Sequence, residues 1–217
     1  MLAVPTRGQI NWNVTQRLLE LQAAHPNVMY HIESGGLSVS DVRNRIVKRF
    51  LQTACDVLIQ VDDDVLPRLG VFEMADSAYD ITGATYFIVR AETNLPFPGA
   101  FRYEGPHYAP IEKPFGRAGL VPCDAVASGC MAVKRKVFEH PDMRAPFAMA
   151  FDEDGVMQYS DDILFCHRAR ALGFTIAADY GHHADHIVNG ISLNRIHHQY
   201  ETAYARAASK PRIIIPG

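Results

Sequence analysis

The sequence lacks most of the features that would classify it quickly. Its four cysteines, Cys55, Cys123, Cys130 and Cys166, include no Cys-x-x-Cys pair and are few for 217 residues. They define neither a disulfide framework nor a structural zinc site, and they fit a reducing compartment. No apolar run approaches the roughly 18 residues needed to cross a bilayer. Met1-Leu2-Ala3-Val4-Pro5 enters a strand pattern directly, without the basic start and long apolar stretch of a signal peptide. A soluble, intracellular and hence cytoplasmic protein is expected. A global excess of basic charge is also missing, because the formal net charge is −3. That excludes a uniformly basic nucleic-acid binder, since phosphate neutralisation needs Lys and Arg in excess. Two local clusters remain, Arg43/Arg45/Lys48/Arg49 and Lys134/Arg135/Lys136. There is no internal repeat and no low-complexity tract. Gly35-Gly36 is no phosphate loop, having neither the spacing nor the following Lys-Ser/Thr.

What is present is enough apolar residue, 48%, to bury one substantial core. Strand and helix patterns alternate, which predicts a single α/β domain with helices packed on a sheet. Leu2 to Thr6 reads as a first strand ending in the turn-forming Pro5-Thr6-Arg7-Gly8, and ligands of open α/β sheets bind at that edge. Asn13 is placed to cap a helix with Val14, Leu18 and Leu21 on one face, and Val28 to Ile32 is a second strand leading to Glu33. From Ser40, the residues Val42, Ile46, Val47, Phe50 and Leu51 recur at helical spacing. Asp56 to Val61 reads as a buried central strand, a helix is expected from Pro67 to Ala78, and a strand from Ile81 to Val89. Ala91 to Pro122 is rich in Pro and Gly and predicts irregular loops with a short hairpin at most. Strand returns over Asp124 to Lys134, interrupted at Ser128-Gly129, and Ser160 caps a helix opening with Asp161-Asp162 and closing at Leu172-Gly173. A last strand, Phe174 to Ala178, leads through a loop holding His182, His183, Asp185 and His186 to an amphipathic C-terminal helix.

The central strand ends in Asp62-Asp63-Asp64. Three adjacent carboxylates repel one another, and a divalent cation removes that conflict. Strand alternation puts Asp62 and Asp64 on one side and Asp63 on the other, so the first and third can jointly serve a metal and a nucleotide.

Pro5-Thr6-Arg7, Arg43-Asn44, Asp62-Asp63-Asp64, Asp161-Asp162 and His186 appear in the order seen in glycosyltransferases of the GT-A fold, and the chain resembles the family-two type most. The motifs run from the first strand to about His186, nearly the whole chain. The resemblance implies a Rossmann-like, mainly parallel mixed sheet flanked by helices. Residues 1–90 would form a nucleotide-sugar-binding half, 91–190 an acceptor-side half, and 191–217 a helix and tail. It implies donor contacts at Pro5, Thr6, Arg7, Glu33 and Arg43, with Asp62 near the ribose, Asp63 beside it and Asp64 on Mn²⁺ or Mg²⁺. Both are hard ions suited to carboxylate and diphosphate oxygen. His186, or failing that His183, would complete the metal site. Asp161-Asp162 resembles the Glu-Asp motif that supplies the base, with Asp162 preferred and Asp161 the alternative. At a helix N-terminus Asp162 should be ionised with a lowered pKa. Ser128-Gly129-Cys130 matches the acceptor-side loop, where Gly129 permits close backbone approach to the sugar.

The reaction this implies is transfer of a sugar from a nucleotide diphosphate, UDP above all, to an acceptor hydroxyl, and a base in Asp162 favours inversion. The family's Gln-x-x-Arg-Trp string is absent, Trp12 being the only tryptophan, which disfavours a processive synthase. Nucleotidyl transfer is a second reading, disfavoured because only Gly8 follows Thr6-Arg7, and a non-catalytic sugar-nucleotide-binding module is a third. DNA, protein, lipid and small molecules all stay open as acceptor. The compact size is similar to that of small phage or bacterial transferases, some of which modify hydroxymethylated DNA bases. DNA would require Lys134-Arg135-Lys136 and Arg168/Arg170 to line one groove beside Asp162. Oligomeric state is not encoded in these patterns.

Overall fold

The computed structural model describes residues 1–89, 96–105, 107–111 and 118–193. The chain begins β1 (Leu2–Pro5), α1 (Trp12–Ala24), β2 (Tyr30–Glu33), α2 (Val39–Phe50), β3 (Val57–Val61) and β4 (Val65–Leu66). A 3₁₀ helix at Leu69–Asp76 precedes β5 (Ile81–Ala84), β6 (Phe87–Val89), β7 (Pro96–Pro98), β8 (Ala100–Glu104) and β9 (His107–Pro110). Then come β10 (Leu120–Pro122), β11 (Ala125–Val126), β12 (Cys130–Lys134), α3 (Arg135–Glu139), β13 (Ala150–Phe151) and β14 (Met157–Tyr159). Last are α4 (Asp161–Ala171), β15 (Ile176–Asp179), β16 (Asp185–Val188) and β17 (Ile191–Ser192). The expected C-terminal helix lies outside the described residues from position 194 onward.

Seven strands form the main sheet in the order β10-β15-β5-β12-β3-β1-β2. β1 pairs parallel with β2 and β3, β12 lies antiparallel between β3 and β5, and β15 is parallel to β5. Only β12 and the edge strand β10 oppose the common direction. Alternate residues of each strand feed two core layers, as the pleat requires. Leu58, Met131 and Val133 join Val42, Ile46 and Phe50 of α2, Val137 of α3 and Phe165 of α4 on one face. Leu2, Val4, Ile59 and Val61 join Leu21 of α1 and Val71 and Met74 of the 3₁₀ helix on the other. Burying each such large side chain stabilises by roughly 1.5–3 kcal/mol. The sheet is therefore mixed, mainly parallel and covered by helices on both faces, the α/β architecture expected from the sequence. No helix among the described residues is long and apolar enough to cross a membrane.

Several boundaries differ from expectation for local reasons. Asn11 rather than Asn13 caps α1, accepting a hydrogen bond from the Asn13 amide at 2.9 Å. α2 starts at Val39, one residue before the expected start at Ser40, and is capped by Ser38 through the Asp41 amide at 3.2 Å, while the Ser40 hydroxyl is engaged with Asp161. The helix expected from Pro67 is a 3₁₀ helix whose first turn holds Gly70 and lacks a side-chain cap. The strand expected over 81–89 is broken at Thr85-Tyr86, where the Thr85 amide turns to the Asp179 carbonyl at 3.2 Å. The described residues of the proline-rich segment include β7, which pairs antiparallel with β6, and the antiparallel pair β8-β9, more strand than the one short hairpin expected.

Register fixes where chemistry can occur. β12 begins with Cys130 opposite Val61 and ends with Lys134 opposite Val57. Ser128-Gly129 therefore stands at the rim where β3 runs into the aspartates, and Lys134 stands at the opposite rim.

Candidate active site

The aspartate triplet does not continue the pleat of β3. The Val65 amide bonds the Asp62 carbonyl at 3.2 Å, closing a turn. Strand alternation is therefore not what relates Asp62 to Asp64, although the charges of both act on His186. Each backbone unit is fixed by a different element. The Asp62 amide donates to the Gly129 carbonyl at 2.8 Å, the Asp63 carbonyl accepts from Asn11 at 2.8 Å, and the Asp64 carbonyl accepts from Ile187 at 2.8 Å.

Asp62 faces α2. Both of its oxygens accept from Nη2 of Arg43 at 2.9 Å. Arg43 is only 4% exposed and reaches Asp161 with Nη1 at 2.8 Å. Asp161, 5% exposed, also accepts from the Ser40 hydroxyl at 3.0 Å. Arg43, expected to touch the nucleotide, is thus committed to two carboxylates. Burial opposes its charge, but Asp62, Asp161 and Asp162 outweigh burial and hold the guanidinium above its ordinary pKa. Burial, with Asp64 and Asp63 adding to it, raises Asp62 above the usual carboxylate range against the pull of Arg43.

Asp64 meets His186, Oδ2 to Nε2 at 3.4 Å. The two are brought together because β16 pairs antiparallel with β4, setting His186 opposite Val65. His186 Nδ1 lies 3.1 Å from the Phe87 carbonyl. A proton on Nδ1 donated to that carbonyl leaves Nε2 as the ligating nitrogen. Burial works against a charged His186, but the Asp64 hydrogen bond and charge, the Phe87 carbonyl and Asp62 together raise its pKa. His183 instead bonds Thr85 Oγ1 at 2.8 Å, and burial, with Arg68, lowers its pKa. Among the described residues no three His, Cys, Asp or Glu side chains converge as a metal site. Of the two histidines expected as alternatives, His186 lies beside Asp64 and His183 is engaged by Thr85. A carboxylate oxygen and an imidazole nitrogen fit Mn²⁺ or Mg²⁺ when substrate phosphates and water supply the other positions.

Asp162 lies at the first turn of α4. Its Oδ1 accepts from the Ser160 hydroxyl and from the Ile163 amide at 2.9 Å, and its Oδ2 lies 3.3 Å from the Ser128 amide. Burial, which raises its pKa, outweighs the Ser160 bond, Arg43 and the Ile163 amide, which lower it. The lowered pKa expected from the helix end is corrected to a raised one, because desolvation exceeds the dipole in size. Thr6 closes its own turn, its hydroxyl accepting from Gly8 at 3.1 Å, with Pro5 buried and Arg7 exposed at the end of β1. Glu33 is paired with His31 at 2.8 Å at the end of β2.

Gly129 has a different reason for being glycine than close substrate approach. A Cβ there would stand 2.4 Å from the Tyr86 hydroxyl and 3.0 Å from Val65. The Gly129 amide donates to that hydroxyl at 2.8 Å, and the Tyr86 ring meets His186 edge-on at 5.8 Å. Ser128 and Gly129 therefore connect the Asp162 carboxylate to the Asp64–His186 pair through two adjacent amides. Tyr86 is not singled out by the sequence, Ser40 enters only as a helix start, and Ser160 enters as a cap, whereas its hydroxyl binds the Asp162 carboxylate and makes no side-chain cap bond. Ser40 had a usable signal, since it lies one helical turn before Arg43, whereas nothing in the pattern around Tyr86 marks it.

The basic clusters face elsewhere. Lys134 is at the far rim, Lys136 pairs with Asp80 at 2.7 Å, and Arg135 binds the carbonyls of Phe50, Thr53 and Cys55. Arg168 binds the carbonyls of Asp142, Arg144 and Ala145, and Arg170 pairs with Asp124 at 3.3 Å. The groove beside Asp162 that a DNA acceptor would require is not built from these side chains, which are engaged elsewhere.

No protein-family model and no curated protein matches the sequence. Among solved structures the chain is similar to A197 from STIV, with a TM-score of 0.59 and 18% identity over 88% of this chain and 87% of that one. That likeness shows a shared fold. GalNAc-T7, solved with UDP, GalNAc and Mn²⁺, is similar at a TM-score of 0.49 and 11% identity over 83% of this chain and 37% of that one. CMP:2-keto-3-deoxy-manno-octonic acid synthetase, complexed with CTP, gives 0.46 and 13% over 95% and 98%. The last two likenesses are too distant to choose between their chemistries.

Proposed function

We propose that this protein is a divalent-metal-dependent glycosyltransferase of GT-A type, taking a sugar from a nucleotide diphosphate, UDP foremost, to an acceptor hydroxyl. The observation that carries the reading is one rim holding an Asp64–His186 pair and a half-buried Asp162 whose pKa is raised by desolvation, joined through Ser128 and Gly129. Five aspartates stand around that rim against one buried guanidinium. Such an imbalance favours a cation.

In this reading residues 1–90 are the donor half and 91–190 the acceptor half. Pro5, Thr6, Arg7 and Glu33 line the nucleotide end, and Asp62 and Asp63 flank the donor. Asp64 and His186 hold Mn²⁺ or Mg²⁺, and the bound ion supplies positive charge against the diphosphate leaving group. Asp162 accepts the proton of the acceptor hydroxyl as that oxygen forms its bond to the anomeric carbon and the bond to the diphosphate breaks, giving inversion. A raised pKa brings a carboxylate closer to the working range of a general base. Ser160 and the Ile163 amide orient it through Oδ1, leaving Oδ2 for the acceptor. For a DNA acceptor, the lysines and arginines that would have to line a groove are bound to other groups, which leaves that choice without its basic lining.

The test is incubation with UDP-, GDP- and TDP-sugars, with and without Mn²⁺. Metal-dependent release of nucleoside diphosphate is expected, since many transferases pass the sugar to water when no acceptor is present. Release of pyrophosphate from a nucleoside triphosphate and a sugar phosphate would assign nucleotidyl transfer instead.

A further inference from the structure

Arg43-Asn44 joins three parts of the chain from one turn of α2. Arg43 binds Asp62 at the end of β3 and Asp161 at the start of α4, with sequence separations of 19 and 118 residues. Asn44 binds the backbone of Phe147 twice, its Nδ2 donating to the carbonyl at 2.7 Å and its Oδ1 accepting from the amide at 3.1 Å. The Phe147 ring packs on Phe165 of α4 at 4.9 Å and lies under the Arg43 guanidinium at 5.9 Å. Ser40 adds a second bond to Asp161 from the same face of α2.

We propose that Arg43 is a positioning residue that sets the base relative to the donor site, its buried guanidinium holding Asp62 and Asp161 in one triad so that the neighbouring Asp162 is aimed at the donor. The inference rests on the glycosyltransferase reading above. Asp161 is an anchor in this arrangement, since Arg43 and Ser40 both occupy its Oδ2, its Oδ1 receives the Asp162 amide at 3.1 Å, and it is buried. Asp162 is left as the base. A planar guanidinium spans two carboxylates at fixed separation, and an ammonium does so as a single point, so lysine does not reproduce the geometry. A displacement of about 1 Å at a reacting group costs on the order of 10²-fold in rate.

The experiment measures Mn²⁺-dependent hydrolysis of UDP-glucose and the other UDP-sugars by wild type, Arg43→Lys and Ser40→Ala. Thermal melting and Mn²⁺–UDP affinity are measured in parallel. Arg43→Lys is expected to lose about 10²-fold in kcat while the donor KM moves less than about threefold. Ser40→Ala leaves both charges paired, so it is expected to fold and bind UDP as wild type does, with kcat lowered several-fold. Wild-type kcat in both folded variants, or a loss confined to KM, overturns the positioning role. If Arg43→Lys does not fold, the Ser40→Ala result decides alone. Wild type that neither binds UDP with Mn²⁺ nor turns over any donor overturns the glycosyltransferase reading itself, and the positioning role with it.

Discussion

Replacing Gly129 by alanine tests the geometry of the rim without touching a charge. The added methyl would stand 2.4 Å from the Tyr86 hydroxyl oxygen, 2.6 Å from Cζ and 3.0 Å from Val65. None of these neighbours can yield cheaply. Tyr86 is 5% exposed and Val65 1%, and β4, which carries Val65, is paired with β16. Relief requires Tyr86 to move, breaking its 2.8 Å bond from the Gly129 amide. Overpacking costs about 1–3 kcal/mol, and losing a buried hydrogen bond costs about 1 kcal/mol more. The sum, about 2–4 kcal/mol, lowers Tm by roughly 5–15 °C in a domain of this size. Urea and thermal melts followed by circular dichroism measure it. Tyr86→Leu in the same chain should relieve part of the cost, so the double variant should be more stable than the two single losses added together. If Gly129→Ala melts as wild type and merely weakens donor binding, the glycine serves substrate approach and the packing argument is wrong. Strict additivity with Tyr86→Leu would refute it equally.

Other outcomes follow from the same contacts. Asp162→Asn should lower kcat by about 10²–10⁴-fold with Mn²⁺–UDP affinity kept, as steady-state rates and calorimetry will show. Because the base works only when deprotonated and burial raises its pKa, wild-type kcat/KM should rise with pH through a limb above the ordinary aspartate value of about 3.9. A limb at or below that value contradicts the assignment. Away from the site, burial of Asp80 raises its pKa, but bonds from Lys136 and from the Thr175 amide and hydroxyl outweigh it and lower the pKa overall. A depressed carboxylate stabilises above its unfolded pKa and loses that contribution as pH falls through the folded one. Asp80→Asn should therefore cost about 1–2 kcal/mol near pH 7, mostly through Thr175 because Lys136 is largely exposed, with the deficit shrinking below about pH 4 in urea melts.

The parts of this fold written in local pattern were legible. The apolar run of β3, its three aspartates and the helical spacing of Val42, Ile46 and Phe50 each depend on near neighbours, so periodicity reveals them. The start of α2 is read one residue late, at Ser40 rather than Val39, and the bond from the Ser40 hydroxyl to Asp161, 121 positions away, is not visible locally. Arg43 and Gly129 were visible as residues of interest, yet their partners were not. Arg43 reaches Asp161 across 118 positions, and Gly129 reaches Tyr86 across 43. The direction of the Asp162 shift was misjudged for a related reason. The helix end is a local feature, whereas burial is set by the whole fold, and burial is the larger effect here. His183 and His186 could not be separated from sequence, because β16 pairing with β4 decides which of them faces Asp64.

The central claim is that Asp64 holds a divalent cation against a nucleotide diphosphate. Calorimetric titration of UDP into wild type and Asp64→Ala, with and without Mn²⁺, tests it most directly. Mn²⁺ should tighten UDP binding to wild type at least tenfold, about 1.4 kcal/mol, and should leave its affinity for Asp64→Ala unchanged. Wild-type affinity that ignores Mn²⁺, or full enhancement in a folded Asp64→Ala, would contradict the account.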